Sequence, residues 1–219
     1  MKRFLLIEDI DAFRGIYSLN FKAYLDAACV VKISFKDAAE YLKNNSERID
    51  MVIIHNSRSN PNVSTELVPY LKKNDLTYPI LVVGEKKEHD KEIQYISNSL
   101  DVKAIIRKAA QMMGVTAQQM AELEVPNFFP IGIDHFKRIT KTNIEIYITS
   151  GDKGYKKIFN VHQDIDYKLI DNLKISGESK LYVKKDERLN FVNYLTQTQV
   201  SQIDDQYLSK NEQVSASSM

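Results

Sequence analysis

Three side chains able to do acid-base or phosphoryl chemistry stand at the ends of apolar runs. Glu8 and Asp9 close the run Phe4-Leu5-Leu6-Ile7, and His55 closes Met51-Val52-Ile53-Ile54. Paired carboxylates suit a hard divalent cation, and an imidazole can act as nucleophile, base or ligand. Runs of this kind read as strands buried on both faces, and the carboxyl ends of such strands form the ligand crevice of an open α/β sheet. Gly84 ends another run at 79–83, and Arg107 follows a fifth at 102–106. Glu8, Asp9, His55, Gly84 and Arg107 are therefore the candidate pocket. Phosphohistidine chemistry at His55 would need a second base or a phosphate-cradling glycine loop, and the sequence supplies neither motif. The four histidines, His55, His89, His135 and His162, are too few and too scattered for a two-metal His/Asp site.

The elements that must position these residues follow from the pattern between them. Strands are expected at 4–7, 29–34, 50–54, 79–83 and 102–106. Helices are expected at 11–27, from 35 with Asp37 able to cap it, at 63–73 and at 88–100. Five strands alternating with helices give an α/β fold with a five-stranded parallel doubly wound sheet.

This first part resembles the receiver domain of bacterial response regulators. The resemblance rests on the acidic pair Glu8-Asp9 after strand one, on Asp50 leading to the end of strand three, and on a cation, Arg107, after strand five. It implies the strand order 2-1-3-4-5. In that family an Asp ending strand three accepts phosphate, and Mg²⁺ is held by that Asp and the acidic pair. A hydroxyl after strand four and a Lys after strand five read the phosphoryl group. Here His55 stands at the acceptor position, Gly84 at the hydroxyl position, and Lys108 where a Pro is usual. An acyl phosphate needs a carboxylate nucleophile, and a neutral imidazole in its place removes both the acceptor and a hard ligand. The expectation is a receiver fold that has lost phosphorylation, with Arg107, and His55 when protonated, neutralising Glu8 and Asp9. A carboxylate neighbour favours the charged imidazole, so pH sensing is one use for His55. The plainer use is a strand-end histidine satisfied by hydrogen bonds. Family analogy puts a dimer face on helix four, strand five and helix five, with Ile93, Ile96, Val102 and Ala104 as its residues.

Residues 114–125 read as a helical connector capped by Thr116. Ala110, Gly114, Val115 and Met120 also have helix-turn-helix spacing, but 116–124 carries two Glu and no cation, so a DNA-binding regulator is the weaker alternative. Pro126 and Pro130 flank two aromatics and open a second domain. A hairpin at 143–161, a helix at 164–175, a strand at 180–184 and a helix from 188 make it a small α+β unit. Phe128-Phe129-Pro130-Ile131, the strand 144–148, Tyr155-Lys156-Lys157-Ile158-Phe159 and Leu181-Tyr182-Val183 resemble the small module found ahead of HD-GYP cyclic di-GMP phosphodiesterase domains. His89-Asp90 and Gly154-Tyr155 do not amount to that catalytic domain. The domains expected are 1–113, receiver-like; 114–125, connector; 126–196, small α+β; and 197–219, a polar helical tail or linker.

Composition bounds the function. Apolar residues make up 43% and charged residues 27% of 219, which suits a globular protein. A net charge of +1 gives no global field for nucleic acid or membrane, and the lysines of the second domain read as a solvated, edge-protecting face. Cys29 stands alone, so no disulfide framework or multi-thiolate zinc site forms, and a reducing cytoplasm is the natural setting. No run approaches a membrane span. The function expected is a non-enzymatic signalling module without metal or cofactor. It acts through a protein partner, a downstream output domain or a homodimer, and resemblance makes it the regulatory front end of a cyclic di-GMP signalling protein. An active phosphoreceiver with a non-Asp acceptor is the remaining alternative.

Overall fold

A computed structural model describes residues 1–45, 47–85, 93–151 and 154–216, the side chains of 204–216 excepted. The chain divides into two compact units, Met1–Leu123 and Glu124–Met219. Among the described residues no helix is long and apolar enough to cross a membrane.

The first unit is a five-stranded, all-parallel sheet. Its strands are β1 (Lys2–Ile7), β2 (Ala27–Lys32), β3 (Met51–Asn56), β4 (Ile80–Gly84) and β5 (Gln94–Ile96). They lie in the order β2-β1-β3-β4-β5, so the expected 2-1-3-4-5 sheet is the observed one. The helices are α1 (Asp11–Leu25), α2 (Phe35–Asn44), α3 (Val63–Lys73), α4 (Val102–Met112) and α5 (Ala117–Ala121). Ser34, rather than Asp37, is the N-cap of α2, accepting from the Asp37 amide.

Alternation along the central strands sorts the core into two layers. Leu5, Ile7, Val52, Ile54 and Val82 pack with Ala38, Val63, Leu67 and Leu71, the side served by α2 and α3. Phe4, Leu6, Met51, Ile53, Leu81 and Val83 are equally buried and face the other way, where α1 packs against α4. Glu8 and His55 continue that second set in register, which puts them beneath α1.

Two expectations are overturned here. Residues 102–106 are not a strand but the first half of α4. Val102, Ile105, Ile106, Ala109 and Ala110 are buried at helical spacing, and the Asp101 carboxylate caps the helix by accepting from the Ala104 amide. The fifth strand is instead Gln94–Ile96, so the helix expected at 88–100 does not occupy those residues. Residues 86–92, with His89 and Asp90, lie outside the described set. Of the residues expected on a dimer face, Ile93 and Val102 are buried in the core, and Ile96 and Ala104 are half-buried.

The connector belongs to the first unit as far as Leu123. Thr116 and Gln119 form a reciprocal capping box at the start of α5, which is five residues long.

The second unit is a four-stranded antiparallel sheet of β6 (Phe128–Gly132), β7 (Ile146–Thr149), β8 (Tyr155–Phe159) and β9 (Lys180–Lys184), ordered β6-β9-β7-β8. The proline-flanked aromatics are therefore a strand paired along β9, rather than only an extended lead-in. Helix α6 (Tyr167–Ile175) is capped by Asp166, and α7 (Arg188–Ala216) packs on β9 and runs on into 197–216, the segment expected as a polar helical tail or linker. Asp186 sits in a short 3-10 turn just before α7.

Candidate functional site

The site is built at the carboxyl ends of β1, β3 and β4. The parallel register sets Ile7 beside Ile54, so the next residues, Glu8 and His55, leave the two strands together. His55 Nδ1 lies 2.6 Å from Glu8 Oε2. Both residues are buried, Glu8 at 1% and His55 at 5% exposure. With Glu8 as the carboxylate, the Nδ1 proton is donated to it, and Glu8 Oε1 accepts from the Ile10 amide at 2.9 Å. Each carboxylate oxygen thus has a partner inside the fold.

The cover over this pair is aromatic. Phe13 and Tyr17 of α1 approach the imidazole edge-on, with centroids 5.2 and 6.2 Å away. Tyr17 is held in turn by donating from its hydroxyl to the Ser99 carbonyl at 2.8 Å. A polar pair under aromatic rings is desolvated, so its hydrogen bonds are costly to leave unmade.

Around the pair, a second layer of polar residues closes the strand ends. Asn56 donates to Ser64 Oγ at 2.8 Å and to the Glu85 carbonyl at 3.0 Å, and accepts from the Ser64 amide at 3.1 Å. It thereby ties β3 to the start of α3 and to the end of β4. Ser59 donates to Asp9, Ser57 lies 3.2 Å from Ser59, and Ser57 accepts from the Asn60 amide at 3.0 Å. Arg14 donates to the Asp9 carbonyl at 2.7 Å and the Glu8 carbonyl at 3.3 Å, and pairs with Asp11.

Gly84 has a steric role. Its φ is +97°, and a Cβ there would stand 2.5 Å from the Asn56 carbonyl oxygen and 3.5 Å from the His55 ring. Only glycine lets β4 end this close to β3.

Of the five residues singled out from the sequence, Glu8, Asp9, His55 and Gly84 converge. Arg107 does not: it lies on the exposed side of α4, because the segment before it is helical. Arg14 is a cation beside the site; it donates to the Glu8 and Asp9 carbonyls and pairs with Asp11 rather than with the Glu8 or Asp9 carboxylate. Sequence reasoning also missed Asn56, Ser57, Ser59 and Ser64. The polar run that follows the apolar strand was the available signal for them.

No protein-family model matches this chain, and none of the curated proteins matches it. The site is therefore judged on its geometry. The divalent cation that a receiver would hold does not fit: both Glu8 oxygens are engaged, and imidazole replaces the third oxygen ligand. Among the described residues no group of three or more His, Cys, Asp or Glu side chains is arranged to hold a metal ion. The Asp9 Oδ1 atom is buried and has no hydrogen-bond partner among the described residues. What the arrangement does chemically is hold three strand ends and two helix starts in one fixed geometry.

Proposed function

We propose that residues 1–123 are a regulatory unit of receiver type in which a fixed buried pair has replaced the phosphorylation switch. On this reading the protein is not an enzyme. It works by presenting surfaces to a protein partner, to an output domain or to a second copy of itself. The 2.6 Å contact between His55 and Glu8 carries this reading, because it uses up the side chains that phosphotransfer would need free. Gly84 supports it, since the position that would follow a phosphoryl oxygen has no side chain and no room for one. The second unit is read as the part that couples this scaffold to a signalling output, cyclic di-GMP turnover being the one its sequence resembles.

Intact-mass analysis after incubation with a small acyl phosphate donor and Mg²⁺ tests the reading. The expected spectrum is that of the unmodified chain. A species heavier by one phosphoryl group, and lost in His55→Ala, would overturn it.

A further inference from the structure

The second unit separates its charges. Strands β6 to β9 contain Lys156, Lys157, Lys180 and Lys184 and no carboxylate, so the acidic residues of this unit lie in its helices and connections. The near-zero net charge of the whole chain conceals this local excess.

Register shows which side chains share a face. Phe128 pairs with Lys184, Tyr182 pairs with Tyr147, Tyr147 with Lys157, and Thr149 with Tyr155. Paired residues point the same way, so four aromatic rings lie together with Lys157, Lys180 and Lys184, while Lys156, paired with Ile148, points to the other face. Their strand neighbours Phe129, Leu181, Val183 and Ile146 are fully buried on the opposite side.

The rings pack in contact, with Tyr147 buried beneath and Phe128 and Tyr182 half-buried. Phe128 and Tyr155 stack with centroids 3.9 Å apart, Tyr182 meets Tyr155 at 4.9 Å, and Phe128 meets Tyr147 at 5.0 Å. Tyr155 is 40% exposed. Among the described residues two acids act at this surface: Glu145, already held by Lys157 and Lys184 at 2.8 and 3.0 Å, and Glu178, whose charge helps to raise the Tyr182 hydroxyl after burial and Tyr155 have done so. Lys180, at the far end of β9, is exposed.

Lysines alone on a sheet need only protect its edges. Aromatic rings on the same solvent-facing side call for a ligand that has both flat apolar groups and negative charge. Single-stranded nucleic acid has both in alternation: bases stack on aromatic side chains while phosphates pair with cations. An acidic peptide would meet the lysines and leave the rings unused.

We propose that this face of the second sheet binds single-stranded nucleic acid, with bases on Tyr155 and Tyr182 and phosphates on Lys180 and its neighbours. The proposal is independent of the reading of the first unit.

Fluorescence anisotropy of the full chain with a short labelled oligo-dT, titrated at several salt concentrations, tests it. Saturable binding at low salt is expected. Tyr155→Ala should weaken it about tenfold, within the range measured for loss of one stacking ring. Tyr155→Phe keeps the ring and should bind as the parent does, which separates lost stacking from a damaged fold. Lys180→Gln should lower the salt slope by about 0.7, the share of one phosphate contact on a single strand. Absence of binding at low salt would overturn the proposal. So would equal affinity for duplex DNA or polyglutamate, or an affinity that Tyr155→Ala leaves unchanged.

Discussion

The two sheets place an acid beside a base in opposite surroundings. In the parallel sheet, Glu8 and His55 meet under the rings of α1, both almost fully buried. In the antiparallel sheet, Glu145 meets Lys157, Lys184 and Tyr147 with its side chain 30% exposed. Water can replace any partner of Glu145, but it cannot reach Glu8 without unpacking α1. The lesson is that similar polar contacts have different work to do. The buried pair fixes one arrangement of the strand ends because breaking it is expensive, whereas the exposed cluster is cheap to break and free to exchange partners.

Glu8→Ala breaks the comparison most severely. It leaves His55 and the Ile10 amide without their acceptor, and urea unfolding should show a loss of about 3–5 kcal/mol, as for other buried pairs deprived of one member. Replacing both partners with apolar residues, Glu8→Leu with His55→Leu, should cost less than Glu8→Ala alone. The cost lies in the stranded partner rather than in the absence of charge. A double replacement as harmful as the sum of the singles would show that the pair is not a unit.

Gly84→Ala ranks next. The positive φ and the approach to the Asn56 carbonyl predict a loss of about 2–3 kcal/mol on the same assay. Asn56→Ala, which removes three hydrogen bonds linking β3, β4 and α3, should cost about 2 kcal/mol.

The smallest effect belongs to the exposed cluster. Hydrogen bonds from Lys157, Tyr147 and Lys184 hold the Glu145 carboxyl at about 2, below its usual 4.5. A depressed folded value gives stability that is present above the unfolded value and lost as pH falls from about 4.5 to about 2. At neutral pH, Glu145→Gln should lower the unfolding midpoint only slightly, less than Asn56→Ala does, because solvent screens the exposed cluster. An NMR titration of the Glu145 side chain should show its midpoint well below that of a free glutamate.

Much of this was legible in the sequence. The first four strands announce themselves as apolar runs, and three of them end in residues that meet at the site. The fifth was not, because Gln94-Tyr95-Ile96 is short and half polar, while Val102-Lys103-Ala104-Ile105-Ile106 has the β-branched look of a strand. The period decides that case: Val102, Ile105, Ile106 and Ala109 recur as on a helix face, behind the capping residue Asp101. Arg107 was misplaced for the same reason. Glu8 and His55 could be marked as neighbours from the strand order, but not the roof of Phe13 and Tyr17. That depends on how α1 lies over the sheet, which no local pattern encodes. The aromatic face of the second unit became visible only once the register of β6, β7, β8 and β9 had joined residues far apart in sequence.

The central claim, that the Glu8–His55 pair holds this pocket in one state, is tested most directly by amide NMR spectra of the protein before and after addition of Mg²⁺ and an acyl phosphate donor. The account predicts that resonances of residues 7–10, 54–60 and 84–85 stay where they were. Concerted shifts across those three segments, reversed when the donor is removed, would contradict it.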